Sequence, residues 1–532
     1  MAVSLVHELR NKKCPICKKE FNDLGNHIKS QHGISEFNSI VLKAKENGLP
    51  DKKIGEIFGI TFKQLEKIIT DAYGINISIL KKPKKIKCWA PKNFKEEQTT
   101  VWSFPQRGSW ATHDGRYRGN WSPYIPRNVI LKYSKPGDTV LDYFVGGGTT
   151  AIEAKLLGRK CIAKDINHAA VNLTKENLQF TPPRKLIDGF EIFEPQVYVG
   201  DACDLSEIDD ETIDLICAHP PYAGIISYSS KVKGDLSQLN IDDFLKETGK
   251  VAYESFRVLK PGGKCAILIG DTRKNKRVIP IGFKTIEVFL EKGFKLKELV
   301  IKRQHKCKTT GFWYDRSIKF NFLLLAHEYL PIFEKPSISQ KRAPINYEEK
   351  QKIETIGYDL SISELKKIEQ SNLETTTVWI FPKDNINNEI RRNLLNRYGK
   401  KNSTFIKISL RNNKDSPQIH FSNTHQIIYA EAWKFRNINY QMYFNLINEI
   451  VEKVNSNIKK GDIFIIDTQD YRTTSSLIPF PLVILNLMDK YKNLKIKEIV
   501  VVTSDNHNFK NNNSENLESA HRYLLIYQFE PN

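Results

Sequence analysis

The chain has 532 residues, of which 40% are hydrophobic and 11% aromatic, so it can build folded cores and is not globally disordered. At about 150 residues per domain, this length favours three or four domains. The formal net charge of +20 favours a polyanionic partner, with nucleic acid as the first candidate. A merely solvated basic surface is the alternative interpretation of the same charge.

Other features narrow the class of protein. The sequence contains no run of about 18 or more apolar residues, so it predicts no membrane-spanning helix. The first residues lack the charged-then-apolar pattern of a signal peptide. Eight cysteines are too sparse for a disulfide scaffold. We therefore expect a soluble, cytoplasmic, multidomain protein that does not associate with membranes.

Four residues near the N-terminus have the spacing of a zinc site. Cys14, Cys17, His27 and His32 follow the pattern C-x2-C-x9-H-x4-H, which supplies two close pairs of ligands for a tetrahedral ion. The central gap is shorter than the usual gap of about 12 residues, and this resembles the compact zinc fingers of bacterial Ros/MucR-type regulators. We predict a structural zinc finger over residues 1–35, with ordinary surface Cys and His as the alternative.

Residues 36–80 are predicted to form a helix-turn-helix. Apolar residues recur at helical spacing on both sides of Gly59, where the first helix would end, and Thr61 can cap the second helix. The second helix would present Lys63, Gln64 and Lys67 to DNA. A packing adaptor without DNA contacts is the alternative.

The positive charge is concentrated in this N-terminal part. Residues 1–95 carry a net charge of +10, half of the excess in less than a fifth of the chain. The densest stretch, residues 81–87, is rich in lysine and contains Pro83, which favours an extended linker over a helix. We predict a basic linker over residues 81–97, acting either as a solvated tether or as a set of phosphate contacts.

Residues 98–336 alternate short apolar strands with polar turns. A strand that ends at Asp142 runs into a glycine-rich turn and a helix, and the next two strands end at Asp165 and Asp201. A fourth strand runs into the sequence His-Pro-Pro-Tyr at residues 219–222. This alternation predicts an α/β, Rossmann-like domain, and a glycine-rich turn lets a ligand approach the backbone closely.

Two of these segments together resemble the signatures of S-adenosylmethionine-dependent DNA amino-methyltransferases of the N6-adenine/N4-cytosine type. The first signature, D-x-F-x-G-x-G-T-T, is matched by Asp142, Phe144, Gly146, Gly148, Thr149 and Thr150. The second, [D/N/S]-P-P-[Y/F/W], is matched by His219, Pro220, Pro221 and Tyr222. The resemblance extends to residues 115–127 and 257–273, so we identify residues 98–336 as a catalytic domain.

The resemblance implies an activity and its cofactor-binding residues. S-adenosylmethionine would be the cofactor, and the substrate would be double-stranded DNA with one base flipped out of the helix. Asp165 would take the ribose of the cofactor and Asp201, followed by Ala202, its adenine amine. Phe144 and the turn at residues 146–148 would line the methionine end.

The resemblance also implies the roles of the second signature. The side chain of residue 219 and the Pro220 carbonyl would hold the hydrogens of the target amine, while Pro221 keeps the turn rigid and Tyr222 stacks on the base. Because such a transfer needs an aligned nucleophile rather than a protein nucleophile, positioning would dominate the chemistry.

His219 departs from the family pattern. Neutral histidine can accept a hydrogen bond from an amine, whereas protonated histidine cannot, so we expect activity to fall as the pH drops through the pKa of His219. Histidine points to neither target base. N6 of adenine is favoured because that reaction is the more frequent one, and N4 of cytosine is the alternative.

Rival functions and further partners stay open. The rivals are an RNA base methyltransferase and a non-catalytic DNA-binding regulator on a methyltransferase scaffold. The absence of a Pro-Cys dipeptide argues against cytosine C5 methylation. A homodimer and a separate restriction endonuclease are the further candidate partners.

Residues 371–532, which follow a predicted linker over residues 337–370, echo the central domain without its first signature. Residues 375–382 repeat the pattern of residues 98–105. Three residues, Gly461, Asp470 and Arg472, each lie 199 positions after Gly262, Asp271 and Arg273. We interpret this region as a degenerate half-copy of the methyltransferase fold that serves DNA recognition or dimerisation and does not bind S-adenosylmethionine. A structural buttress is the alternative.

Overall fold

The computed structural model describes most of the chain. The described residues are 5, 8–9, 11–47, 49, 51–61, 64–65, 68, 86–115, 117, 119–183, 191–222, 234–305, 310–337, 357–364, 373–411, 419, 421, 424–432, 440–473, 475–505 and 516–531. Within these ranges, no helix is long and apolar enough to cross a membrane.

The N-terminal residues form a small helical unit. Its helices are α1 (Leu24–Gln31), α2 (Gly33–Glu46) and α3 (Asp51–Phe58). Helix α1 crosses α3 at such close range that a Cβ on Gly25 would lie 1.9 Å from the backbone oxygen of Phe58. Leu24, Ile28, Phe37 and Phe58 share one core cluster, so the finger region and the first helix of the predicted helix-turn-helix pack as a single unit.

The lobe that contains the predicted catalytic domain, which we call the catalytic lobe, comprises residues 86–337. It is built on an eight-stranded sheet with the order β1-β9-β10-β6-β5-β2-β3-β4. Its strands are β1 (Val101–Ser103), β2 (Thr139–Asp142), β3 (Lys160–Asp165), β4 (Gln196–Val199), β5 (Ile213–Ala218), β6 (Leu259–Ile267), β9 (Lys295–Arg303) and β10 (His327–Glu334), with the hairpin β7 (Thr272–Lys274) and β8 (Arg277–Ile279) beside it. Its helices are α4 (Tyr124–Tyr133), α5 (Thr149–Leu156), α6 (His168–Asn177), α7 (Ile241–Val258), α8 (Ile281–Glu291) and α9 (Thr310–Lys319).

The strand order creates a switch point between β2 and β5. Strand β2 pairs in parallel with β3 on one side and with β5 on the other, and the chain then builds outward in both directions. Strand β10 is antiparallel to both of its neighbours, β6 and β9. In open parallel sheets, ligands bind where the strand order reverses. The predicted α/β, Rossmann-like fold class is confirmed.

The C-terminal lobe, residues 357–531, contains a seven-stranded sheet with the order β11-β13-β14-β15-β19-β18-β12. Its strands are β11 (Gly357–Glu364), β12 (Val378–Phe381), β13 (Thr404–Arg411), β14 (Gln426–Glu431), β15 (Ile463–Thr468), β18 (Leu494–Ser504) and β19 (His521–Phe529), with the pair β16 (Tyr471–Arg472) and β17 (Leu477–Ile478) beside it. Its helices are α10 (Ile386–Tyr398), α11 (Tyr440–Asn455) and α12 (Phe480–Met488).

The two sheets share a strand order. Reading β12-β18-β19-β15-β14-β13 against β1-β9-β10-β6-β5-β2 gives the same sequence of parallel and antiparallel pairs. At the place of β3, the second sheet instead has β11, which is antiparallel to its neighbour β13. The antiparallel edge strand β11 therefore takes the place of β3 and β4, the strands at whose ends Asp165 and Asp201 lie in the catalytic lobe.

The lobes contact each other through reciprocal hydrogen bonds between equivalent residues. Thr100 of the catalytic lobe hydrogen-bonds to Nδ1 of His521 at 2.8 Å, and Thr377 of the C-terminal lobe hydrogen-bonds to Nδ1 of His327 at 2.9 Å. Buried residues of both lobes, among them Phe283, Tyr329, Phe480 and Tyr523, belong to one continuous hydrophobic cluster. The two lobes are thus packed as related halves around an approximate twofold relationship.

Candidate active site and metal-ligand cluster

A cleft opens at the switch point of the catalytic lobe, where the turn after β2 lies beside the turn after β5. It encloses about 760 Å³ including its mouth. Its walls come from six segments of the chain: Tyr117, Gly119, Asn120 and Trp121; Tyr143, Phe144, Val145 and Gly146; Asp165, Ile166 and Asn167; Asp201 and Ala202; His219 and Pro221; and Gly234, Asp235 and Leu236.

The turn after β2 is held in a shape that only glycine adopts easily. Gly146 and Gly148 have φ values of 52° and 88°. A Cβ on Gly146 would lie 3.1 Å from the ring of Tyr117 across the cleft wall. Asp142 caps the turn by accepting a hydrogen bond from the Phe144 N–H at 3.0 Å. Burial raises the pKa of Asp142 to about 7.

Helix α5 begins with the two threonines of the first signature. The Thr150 hydroxyl donates to the Cys217 carbonyl at 3.3 Å, which ties the start of α5 to strand β5. Thr149 and Thr150 are buried and do not line the cleft. Their position therefore fits a role in fixing the turn.

Two acidic residues face the cleft from the ends of β3 and β4. Asp165 accepts hydrogen bonds from the N–H groups of Gly146 and Asn167, each at 2.9 Å. Burial raises the pKa of Asp165 to about 6, although the hydrogen bonds from these two N–H groups lower it. Asp201 accepts from the Cys203 N–H at 2.9 Å, and buried Ala202 lies next to it in the wall.

The turn after β5 is tied into a hydrogen-bonded chain. Nε2 of His219 lies 3.0 Å from the hydroxyl of Tyr222, which donates to Oε1 of Glu328 at 2.7 Å. Lys302 donates to Oε2 of Glu328 at 2.7 Å. The ring of His219 also stacks on Trp121, with centroids 5.5 Å apart and planes 21° apart.

Burial, more than the charges around this turn, keeps His219 neutral. Burial lowers the pKa of His219 to about 4, with Lys302 and Arg107 acting in the same direction and Glu328 against it. Lys302 and other neighbours lower the pKa of Glu328 to about 2 despite its burial. At neutral pH this series of hydrogen bonds therefore contains an ionised Glu328 carboxylate and a neutral His219 imidazole.

Four residues of the two signatures line the cleft, and residues outside the signatures line it as well. The four are Phe144, Gly146, His219 and Pro221, whereas the cleft lining does not include Asp142, Gly148, Thr149, Thr150, Pro220 and Tyr222. Trp121, Asn120 and Tyr117 lie in the segment 115–127, whose position before the first signature was the only signal for them. Asn120 accepts from the Gly147 N–H at 3.2 Å. Glu328 was missed because it lies 106 residues after Tyr222, outside any local pattern.

The four predicted zinc ligands also converge. The ligand atoms of Cys14, Cys17, His27 and His32 all lie within 4.8 Å of one another, and Sγ of Cys17 is 3.4 Å from Nε2 of His27. A backbone hydrogen bond with Lys19 and the neighbouring histidines lower the pKa of the Cys17 thiol to about 6. Two sulfur and two imidazole donors at this spacing fit tetrahedral zinc.

The second helix of the predicted helix-turn-helix is described only in part. Thr61 and Gln64 form a reciprocal capping pair, with the Gln64 N–H donating to Thr61 Oγ1 at 3.2 Å and the Thr61 N–H donating to Gln64 Oε1 at 2.8 Å. Lys63 and Lys67, two of the predicted DNA contacts, lie outside the described residues.

Curated relatives share segments of the chain. A type II methyltransferase, M.MthZI, of Methanothermobacter thermautotrophicus is 29% identical over 157 residues, which is 26% of this chain and 44% of the relative. M.SmaI of Serratia marcescens, another type II methyltransferase, is 31% identical over 88 residues, 16% of this chain and 29% of the relative. A tRNA (guanine(10)-N2)-dimethyltransferase of M. thermautotrophicus is 36% identical over 130 residues, 24% of this chain and 34% of the relative. The chain thus spans less than half the length of each of these relatives.

Solved structures show weaker likeness. A SAM-dependent methyltransferase from Methanosarcina mazei is 17% identical, with a TM-score of 0.27, and the match covers 39% of this chain and 97% of that one. A methyltransferase from Pyrococcus furiosus is 17% identical, with a TM-score of 0.26, and the match covers 41% of this chain and 84% of that one.

The family model provides the assignment. The model of the N6/N4 methyltransferases, described as DNA methylase, matches residues 34–176 and 213–432, which together make up more than half of the chain. The matched ranges contain the turn after β2, Asp165 and the His-Pro-Pro-Tyr turn. The chain belongs to the N6/N4 DNA methylase family.

Proposed function

We propose that the protein transfers a methyl group from S-adenosylmethionine to an exocyclic amino group of a base in DNA. The observation that supports this proposal is a cleft at the switch point whose lining includes Asp165, Asp201, His219 and Pro221. A cofactor site and a base site would share this cleft, which is the arrangement that direct transfer between two bound molecules needs.

The cleft fits the cofactor by its donors and its shape. Asp165 would accept hydrogen bonds from the ribose hydroxyls, and Asp201 from the adenine amine, as acidic residues do at strand ends of this fold. A Cβ on Gly146 would make a tight contact of 3.1 Å with the Tyr117 ring. Because glycine has no Cβ, the backbone there would be able to approach the methionine end of the cofactor. When bound, S-adenosylmethionine supplies an electrophilic methyl group.

The residues of the second signature would orient the nucleophile. His219 and the Pro220 carbonyl would accept the two amine hydrogens, which favours a tetrahedral nitrogen that can attack the methyl group. Tyr222, half-buried and fixed by its hydroxyl, would offer its ring to the flipped base. Unstacking a base costs a few kcal/mol, which such stacking and hydrogen bonds offset.

The residues of the cleft identify the target base less directly than they identify the reaction. We propose N6 of adenine, with N4 of cytosine as the alternative, since His219 matches neither pattern. The relatives named type II methyltransferases support a restriction–modification setting. For that setting we propose double-stranded DNA as the substrate and a separate restriction endonuclease as a further partner. An RNA base is the second candidate substrate, because one relative is named for a tRNA guanine amine, which is also exocyclic.

We further propose that the N-terminal unit reads DNA. Zinc would hold Cys14, Cys17, His27 and His32 and stabilise a unit whose core is small. The net charge of +10 over residues 1–95 would bind phosphates. The C-terminal lobe would act as a built-in partner of the catalytic lobe, because it already occupies the face that a second copy would need for the same contacts.

Modification-aware sequencing and nucleoside mass spectrometry of DNA and RNA from cells that express the chain would test the activity. We expect N6-methyladenine at one sequence motif in DNA. The double substitution Pro221→Ala with Tyr222→Ala should abolish this signal, whereas Tyr253→Ala should keep it, because Tyr253 is exposed on α7 and does not line the cleft. Modified RNA with unmodified DNA would move the proposal to the RNA candidate. No modified base in either nucleic acid, with no stabilisation by S-adenosylmethionine, would support the non-catalytic regulator.

Zinc content measured on the purified full chain would test the metal site. We expect one zinc per chain, lost in Cys17→Ser and kept in Cys88→Ser, which removes a half-buried cysteine outside the cluster. A wild-type chain without zinc would contradict the metal proposal.

A further inference from the structure

We infer that Glu328, anchored by Lys302, is a positioning residue that sets the tautomer of His219 through the Tyr222 hydroxyl, so that Nδ1 of His219 is the acceptor for the target amine. This inference rests on the proposed function. It adds to the second signature a carboxylate and an ammonium group from two other strands.

The chain of contacts is continuous. Lys302 on β9 and Glu328 on β10 are register partners in an antiparallel pair, and their side chains are 18% and 8% exposed. Lys302 donates to Oε2 of Glu328 at 2.7 Å, which leaves Oε1 for Tyr222 at 2.7 Å. Tyr222 then meets Nε2 of His219 at 3.0 Å.

Proton counting along these contacts decides the tautomer. A carboxylate only accepts, so the single phenol proton of Tyr222 points to Glu328. The phenol oxygen can then only accept from Nε2 of His219, which must carry a proton. Neutral imidazole has one N–H, so Nδ1 is the ring nitrogen that can accept a hydrogen bond.

The same surroundings fix the ring and its charge. Trp121 stacks on His219, and both residues line the cleft. The charged groups that face the ring are Lys302 from β9, Glu328 from β10 and Arg107 from the loop before α4. A hydrogen bond with the backbone of Gly119 favours the protonated ring, in the same direction as Glu328. Burial of the ring outweighs the attraction of Glu328, so the imidazole stays neutral and able to accept at physiological pH.

The substitution Glu328→Gln should invert the tautomer. The amide oxygen of glutamine can still accept from Lys302, but its NH2 group would donate to the Tyr222 oxygen. The phenol proton would then turn to Nε2 of His219, and Nδ1 would become the protonated, non-accepting nitrogen. Tyr222→Phe removes the linking atom and keeps the aromatic ring that would stack on a base.

The test combines two measurements on the full chain. Nitrogen NMR of the 15N-histidine-labelled protein, with His219 assigned by its loss in His219→Asn, should show Nε2–H in the wild type and Nδ1–H in Glu328→Gln. Steady-state kinetics on DNA should show kcat lowered by about tenfold or more in Glu328→Gln and in Tyr222→Phe, with unchanged affinity for S-adenosylmethionine. The double variant should lose little more than either single variant, because both break the same chain.

Glu334→Gln is the matched control. Glu334 lies on the same strand and pairs with Lys264 at 3.2 Å, away from the cleft, so kcat and the His219 tautomer should not change. An Nδ1–H tautomer in the wild type, or an unchanged kcat in both Glu328→Gln and Tyr222→Phe, would overturn the inference. A wild-type chain that methylates no nucleic acid would contradict the proposed function instead, and the NMR measurement would still decide the tautomer.

Discussion

Arg273 of the catalytic lobe and Glu498 of the C-terminal lobe form a bidentate ion pair inside the contact between the lobes, with Nη2 to Oε2 at 2.6 Å and Nη1 to Oε1 at 3.2 Å. The reverse pair exists as well, because Arg472 of the C-terminal lobe bonds to Glu298 of the catalytic lobe. Glu498 and Glu298 are both fully buried. Each also accepts a backbone N–H, from Leu323 at 3.0 Å and from Leu517 at 3.1 Å. The contact between the lobes thus contains two reciprocal ion pairs, each formed by an arginine of one lobe and a glutamate of the other.

Removing one arginine should strongly destabilise the contact between the lobes. Arg273→Ala leaves the Glu498 carboxylate buried without its partner, which typically costs about 3–5 kcal/mol. We expect a loss of this size in the free energy of unfolding, measured by chemical denaturation, for Arg273→Ala and for Arg472→Ala. Replacing both members with apolar residues, as in Arg273→Met with Glu498→Leu, should cost less. Lys250→Ala, which removes an exposed pair with Glu247, should cost less than about 1 kcal/mol. Equal losses in Arg273→Ala and Lys250→Ala would contradict the buried role of the pair.

Two equivalent aspartates should make stability fall as pH rises. Burial raises the pKa of Asp271 and of Asp470 to about 7, well above the value of about 3.9 for an unfolded chain. Their protonated forms are therefore favoured in the folded protein, and the stability they support is present below about pH 4 and lost as pH rises through about 7. We expect Asp271→Asn and Asp470→Asn to gain about 1 kcal/mol or more over the wild type at pH 8 and to lose that advantage at pH 4. Denaturation at both pH values measures this, and lower stability of both variants at pH 8 would show that the carboxylates are ionised and paired.

The pH below which kcat declines should be lower than the pKa of an ordinary, solvated histidine. A solvated imidazole has a pKa of about 6.5, whereas burial lowers the pKa of His219 to about 4. His219 therefore stays neutral as pH falls from 8 to about 5.5, and kcat at saturating cofactor should hold over that range and decline below about pH 5. His219→Asn, which carries a family-type residue that does not titrate, should keep activity and lose this acid limb. A wild-type kcat that halves near pH 6.5 at saturating cofactor would contradict the burial of the ring.

The glycine-rich turn should be sensitive to a single methyl group. Gly146→Ala places a Cβ 3.1 Å from the Tyr117 ring and forces a non-glycine residue to φ 52°, a strain of about 1–2 kcal/mol. We expect an affinity for S-adenosylmethionine about tenfold lower, measured by calorimetry. Gly249→Ala is the control, because its nearest neighbours are 3.9 Å away and it lies in helix α7 outside the cleft. Equal cofactor affinity of the two variants would show that the turn does not shape the cofactor site.

The cofactor side of the cleft was largely predictable from the sequence. Asp142, Asp165 and the His-Pro-Pro-Tyr turn each follow a short apolar strand, and the carboxyl ends of parallel strands meet at one edge of a sheet. Local spacing was therefore enough to place these residues together. The zinc-type cluster was predictable for the same reason, since its four ligands lie within 19 residues of one another.

Other features depended on contacts between distant segments. The tie from His219 through Tyr222 to Glu328 joins residues 106 positions apart, and Trp121 reaches His219 only because the segment before β2 folds over the cleft. The repeat spacing of 199 residues was visible in Arg273 and Arg472. That these arginines reach across to the other lobe was decided by the tertiary structure, because buried charges must find partners wherever packing places them. The sequence by itself determined which residues sit at the ends of the strands, and only the packing of the two lobes decided which of them meet.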